Sequence, residues 1–122
     1  MASSNPGPGR HLPLSPAVFH ILLALADGER HGYAIAQEIE AATHGEVRTG
    51  PGTLYGSIQR MLDAGLIEEA ARRPRPADDD ERRRYYRMTA FGKRVLALEA
   101  ERLAQVVRIA RTKRVLGGEG VA

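Results

Sequence analysis

Apolar residues along this chain fall into blocks whose spacing and punctuation predict four helices and a β-hairpin. The first block, Val18, Phe19, Ile21, Leu22, Leu23 and Leu25, is opened by Ser15-Pro16 and closed by Asp27-Gly28. A serine oxygen can accept from the unpaired N–H groups of a first turn, and proline is tolerated at the first helical position. These apolar side chains surround the helix on more than one side, which predicts a central helix packed on its own domain and on something else. Ile35, Ile39 and Ala42 follow at i, i+4 and i+7 behind His31-Gly32-Tyr33, with His44-Gly45 as the stop. Glu38 and Glu40 lie off that stripe and are expected in water.

The third helix starts at Gly50-Pro51, carries Leu54, Ile58, Met61 and Leu62 on one stripe, and stops at Gly65. Its polar face holds Gly52, Thr53, Gly56, Gln59, Arg60 and Asp63. Glu46-Val47-Arg48-Thr49 is too short for an element of its own, so the second and third helices form a helix-turn-helix candidate. Residues 66–72 then read as one strand and residues 83–89 as a second, with Tyr86 and Met88 on one face and Tyr85 and Arg87 on the other. The stretch between them, Arg73 to Arg82, has no apolar period and is expected to be a long, mobile hairpin tip.

Thr89 can cap a last helix running from Ala90 to about Leu116, before Gly117-Gly118. Leu96, Ala100, Leu103, Val107 and Ala110 alternate four- and three-residue steps along it. A helix about 40 Å long would outrun so small a domain, and its far seam is expected to pack on a second copy. The fold class is therefore mainly α with a small β-hairpin. The organisation expected is a flexible tail over 1–13, a winged helix-turn-helix over 14–89, a dimerisation helix over 90–116 and a flexible tail over 117–122.

Charge sharpens this division. Residues 1–45 hold two arginines against four carboxylates, a net −2, and the rest of the chain holds 16 basic residues against 11 acidic ones, a net +5. Nearly all the cations are arginine, which makes forked contacts to phosphate and guanine; a GC-rich genome would give the same bias. With no cysteine, disulfides and thiolate metal sites are excluded. No apolar run has the length of a membrane span, and residues 1–9 lack the apolar run of a signal peptide, so a cytoplasmic location and no membrane partner are expected.

Over residues 12–116 the chain resembles the PadR family of bacterial transcriptional regulators, in its short branch with a single C-terminal helix. The resemblance rests on the order and spacing of Leu14-Ser15-Pro16, His31-Gly32-Tyr33, Gly52-Thr53-Leu54-Tyr55, Gly65-Leu66-Ile67, and Arg84-Tyr85-Tyr86-Arg87-Met88-Thr89 followed by Gly92. It implies a winged helix-turn-helix homodimer that joins its first and last helices. It also implies sequence-specific DNA binding, usually as a repressor of a neighbouring gene for a transporter or detoxifying enzyme. The sequence has no tryptophan, so members that sandwich flat drugs between tryptophans are a poor guide to its ligand.

The DNA partner is expected to be double-stranded, with an inverted-repeat operator. Thr53, Gln59 and Arg60 are the candidates for base contacts; Ser57, on the helix surface, and Tyr55, at the stripe's flank and reaching a phosphate or simply packing, complete the DNA-binding candidates on this helix. Arg72, Arg73, Arg75, Arg82, Arg83 and Arg84 border the wing tip and suit phosphates; the alternative is that they pair with Asp78, Asp79, Asp80 and Glu81. Phe19, Leu22, Leu96, Leu103, Val107 and Ala110 are the dimer-interface candidates, and Phe19, Leu22 and Leu103 could also line a pocket for a small-molecule effector. A winged-helix dimer serving only as a protein-interaction module is the other reading. His11, His20, His31 and His44 lack metal-ligand spacing, so neither a metal nor another cofactor is expected. No nucleophile motif points to an enzyme.

Overall fold

The computed structural model describes residues 7–70 and 83–117. Pro8–His11 form a 3-10 turn, followed by α1 (Pro16–Ala24), β1 (Arg30–His31), α2 (Gly32–Ala42), α3 (Pro51–Asp63), β2 (Ile67–Glu69), β3 (Tyr85–Met88) and α4 (Ala90–Thr112). α1 lies at the centre, packed on α2, α3 and α4, and Ile21 and Leu22 are fully buried there beside Ile35, Ile58 and Val95.

The caps read from the sequence are in place. Ser15 Oγ accepts from Val18 N at 3.3 Å, His31 Nδ1 accepts from Ala34 N at 3.2 Å and Thr89 Oγ1 accepts from Gly92 N at 2.9 Å. α3 ends where Gly65 turns left-handed at φ 77°, with Leu66 N donating to Met61 O and Gly65 N to Leu62 O. These two bonds satisfy carbonyls that a helix end leaves open and aim the chain into β2. α2 ends in the same way, with His44 itself in the left-handed conformation at φ 53°.

Several expectations need correction. The sheet has three strands in the order β1-β3-β2, all antiparallel, so the two-stranded wing gains Arg30–His31 as an edge paired with Tyr86 and Tyr85. Residues 7–13 do not stand off as a tail. The 3-10 turn packs on α4, Leu12 packs against the core, and Leu14 N donates to the buried Glu99 carboxylate at 3.0 Å. Glu38 is not fully solvated, since it lies 3.5 Å from Arg30. α4 stops at Thr112, not Leu116. Arg114 takes the left-handed conformation there and Val115 N donates to Ala110 O, a closure that needs no glycine. Its 23 residues still give a rod of about 35 Å.

Thr89 ties α4 to the wing. Its hydroxyl donates to Gly65 O at 2.6 Å and its N–H to Leu66 O at 3.1 Å. Gly92, one turn later, leaves no room for a side chain, because a Cβ there would collide with the Leu66 carbonyl oxygen. The close approach of backbone to backbone fixes where α4 leaves the domain.

Candidate nucleic-acid interface

The structure builds a cleft of about 400 Å³ where the start of α2, the outer side of α3 and the root of the wing meet, lined by His31, Tyr33, Tyr55, Arg83, Arg84 and Tyr86. Tyr33 is 62% exposed and Tyr55 50%, so both rings stand at the surface instead of in the core. β3 pairs with both neighbouring strands, and that pairing carries Arg83 and Arg84 up to the helix-turn-helix.

His31 stands between the start of α2 and the wing. Its Nδ1 caps α2 and its Nε2 lies 3.1 Å from Arg83 Nη1, while the ring meets Tyr85 edge to face at 5.3 Å between centroids. Arg84 Nε lies 3.7 Å from Glu69 Oε2 in an exposed pair, a contact that water and salt weaken. Burial pushes the Tyr86 hydroxyl above its usual range, and the Glu69 charge adds to the effect. Two guanidinium groups, an imidazole and three phenols make a surface suited to an oxyanion with phosphate geometry.

The candidate base-contacting residues divide between places. Tyr55 joins Arg83 and Arg84 in the cleft. Thr53 and Gln59 are exposed on α3, and Gln59 Nε2 already donates to Asp63 Oδ1 at 3.1 Å. Arg60 is exposed but lines a different cavity, with its Nη2 donating to Ser57 Oγ at 3.2 Å. Ser57, expected on the helix surface, is fully buried at 0% exposure. It occupies the apolar stripe one turn from Leu54 and Met61, so its hydroxyl serves Arg60 and is out of reach of any partner outside the fold. Arg72, Arg73, Arg75 and Arg82, with the acidic run Asp78 to Glu81, lie outside the described residues.

The interface candidates also divide. Leu22 and Leu96, at 0% and 8% exposure, belong to the intrachain core and present nothing to a second copy; Leu22 cannot line an open effector pocket either. Phe19 is half-buried against the same core. Val107, at 39%, stands exposed on the far half of α4 together with Val106 and Ile109, Leu98 is exposed on the near half, and Leu103 and Ala110 are half-buried.

Sequence reasoning took His31-Gly32-Tyr33 only as a helix opener and so passed over His31 and Tyr33 as cleft residues. The available signal was an aromatic residue in the first turn of α2, off the Ile35 and Ile39 stripe. Among the described residues no three His, Cys, Asp or Glu side chains are grouped to hold a metal ion, and no helix is long and apolar enough to cross a membrane.

Comparison with known proteins supplies the frame for this cleft. The model of the transcriptional regulator PadR-like family matches residues 21–98. An uncharacterised 37.1 kDa protein of a Streptomyces fradiae transposon is 38% identical over 86 residues, which are 70% of this chain and 22% of that protein. The chain thus spans under a quarter of that relative. The transcriptional regulator Rv3488 of Mycobacterium tuberculosis is 36% identical over 100 residues, 82% of each chain. In fold, the chain is similar to a PadR family transcription regulator of Clostridium difficile, with TM-score 0.67, 22% identity and coverage of 80% of this chain and 97% of that one. It is also similar to Bacillus subtilis PadR, solved in complex with operator DNA, with TM-score 0.57, 21% identity and coverage of 70% and 46%.

Proposed function

Because the chain belongs to the PadR-like family of transcriptional regulators, and that family is not one of enzymes, we propose that the cleft between α2, α3 and the wing is the seat of a DNA phosphate. The observation that carries this reading is the convergence of Tyr33, Tyr55, Arg83 and Arg84 from three separate elements onto one open cavity. Packing alone does not call for two half-exposed tyrosines beside two arginines. Thr53 and Gln59, with Arg60 beyond them, then face the bases, and the cleft sets the register without reading sequence.

The protein acts as a homodimer in this proposal. The far half of α4 carries Val106, Val107 and Ile109 at 39–48% exposure, with no element of its own chain covering them among the described residues. Two-fold symmetry would place two copies of α3 in successive major grooves about 34–36 Å apart, and the operator would be an inverted repeat. Bound across a promoter, such a dimer represses by excluding polymerase, and release by a small molecule fits that mode of control.

The test is a titration against the DNA upstream of the protein's own gene over a range of salt. The proposal expects binding at least a hundredfold tighter than to random duplex, and a steep loss of affinity as salt rises. Equal affinity for both duplexes would sink it.

A further inference from the structure

A second cavity, of about 200 Å³, lies between the segment entering α1 and the C-terminal half of α3. Met61 and Leu66, both nearly inaccessible, form its floor, and Pro13, Leu14 and Val18 its walls. Among the described residues no carboxylate lines it. Its permanent charge is Arg60, whose one hydrogen-bond partner is the Ser57 hydroxyl at 3.2 Å and which forms no ion pair with a described residue. A guanidinium carries five N–H donors in a planar fork, so most of Arg60's donors have no acceptor among the described residues. Ser57, a buried hydroxyl on an otherwise apolar stripe, steadies that guanidinium and has no other hydrogen-bond partner among the described residues. His11, which also lines the cavity, is packed edge-on against Phe91 and adds a nitrogen-bearing ring.

We propose that this cavity binds a small amphipathic organic anion, with its carboxylate on Arg60 and its apolar body against Leu14, Val18 and Met61. The charge selects the head group, since a carboxylate takes a bidentate pair from arginine, and the apolar lining selects the body. Binding at this site does not depend on the DNA reading. One consequence does: Arg60 also lies on the face of α3 proposed to meet DNA, so an anion that engages it there would oppose DNA binding.

The test uses the full chain labelled with 13C in its methionine methyl groups. The sequence holds only three methionines, Met1, Met61 and Met88, so the Met61 signal is readily assigned. Without DNA, the protein is titrated with sodium hexanoate, 1-hexanol and sodium phosphate. A saturable shift of Met61 with hexanoate is expected, at concentrations at least tenfold lower than with hexanol or phosphate, and weakened at least tenfold in Arg60→Gln. An absent shift overturns the assignment, as does hexanol or phosphate matching hexanoate, or an Arg60→Gln response equal to that of the unaltered chain. A DNA titration with hexanoate, against chloride at equal ionic strength, then reads the consequence. Loss of affinity in the unaltered chain but not in Arg60→Gln supports antagonism, and unchanged affinity overturns it. A protein that binds hexanoate yet shows no preference for any DNA counts against the DNA reading and leaves the ligand site standing.

Discussion

The ring of Tyr55 lies over Gly32: a Cβ on residue 32 would stand 2.5 Å from the Tyr55 hydroxyl and 2.7 Å from its Cε1. The absence of a side chain at the start of α2 is therefore what lets Tyr55 lie across the cleft. Tyr55 is half exposed and can swing outward, so Gly32→Ala should shift folding stability by less than about 1 kcal/mol, alanine being the better helix former. DNA affinity should fall, because the hydroxyl leaves its place. In a Tyr55→Ala background the same substitution should be nearly silent. Titrating the single and double variants gives a coupling energy, and a value below about 0.5 kcal/mol would show that the two residues act independently.

Gly92 is the opposite case, because its neighbour is backbone and cannot turn away. A Cβ there meets the Leu66 carbonyl, with Met88 Cγ at 3.1 Å behind it. Gly92→Ala must push α4 off the root of the wing, at a cost of about 2–3 kcal/mol, the upper range for overpacking. Urea denaturation followed by circular dichroism measures it; a loss under 0.5 kcal/mol would mean that the helix shifts freely.

Helix starts, and the stops after α2 and α3, were legible in the sequence because they depend on neighbours within one turn. Ser15, His31, Thr89 and Gly65 each act on groups a few residues away. What was not legible depends on distant partners. β1 is two residues long and exists only because β3, over fifty residues later, offers its edge. Leu22 and Leu96 belong to the same apolar repeats as the other interface candidates, and an apolar repeat does not say whether its cover is the same chain or another copy. Ser57 looked like surface for want of any sign that Arg60 would need its hydroxyl. The cleft was half visible: Tyr55 and Arg83 were singled out, but their meeting with His31 and Tyr33 is a product of the tertiary fold.

Glu99 is buried where α4 meets the segment entering α1. It is 2% exposed, takes both Arg102 Nε at 2.6 Å and Arg102 Nη2 at 3.0 Å, and accepts from Leu14 N at 3.0 Å. The Arg102 hydrogen bonds hold its carboxyl below the ordinary value near 4.5, and the Leu14 N–H assists against the opposing effect of burial. A depressed folded-state pKa contributes stability that is complete above the ordinary value and is lost as pH falls through the folded one. Glu99→Gln should therefore cost about 1.5–3 kcal/mol at pH 7, the range for hydrogen bonds to a charged group. The gap to the unaltered protein should narrow as pH drops below about 4.5. Denaturation curves at pH 7 and pH 3.5 decide it, and an equal gap at both would exclude the carboxylate charge as the cause.

Val107 and Leu96 share one apolar repeat but should fail differently. Val107 is 39% exposed, so Val107→Glu leaves the single-chain core intact and puts a charge on the proposed seam. Sedimentation should show the weight-average mass falling from dimer toward monomer, with helical content of the folded domain retained. Leu96, at 8% exposure, is packed in the core, and Leu96→Ala should cost about 2–4 kcal/mol of folding stability with no selective effect on association. If Val107→Glu sediments like the unaltered chain, the seam lies elsewhere on α4.

The division between positioning and reading predicts two distinct signatures on DNA. Arg84 lines the cleft and, among the described residues, is tied only by an exposed pair to Glu69 at 3.7 Å, a carboxylate it can exchange for a phosphate. Arg84→Ala should weaken binding to the operator and to random duplex by a similar factor, and lower the slope of log affinity against log salt by about 1, the release of one counterion. Thr53 is exposed on α3 and uncharged, so Thr53→Ala should leave that slope unchanged and reduce only the preference for the operator, by about 1–3 kcal/mol if the residue reads a base. Gln59 should contribute less than Thr53, since it must first give up its bond to Asp63 at 3.1 Å. Salt-dependent titrations of the three variants on both duplexes separate the cases. A Thr53→Ala protein that loses affinity equally for both DNAs would move Thr53 from the reading face to the backbone contacts, and an unchanged salt slope in Arg84→Ala would remove the cleft from the DNA interface.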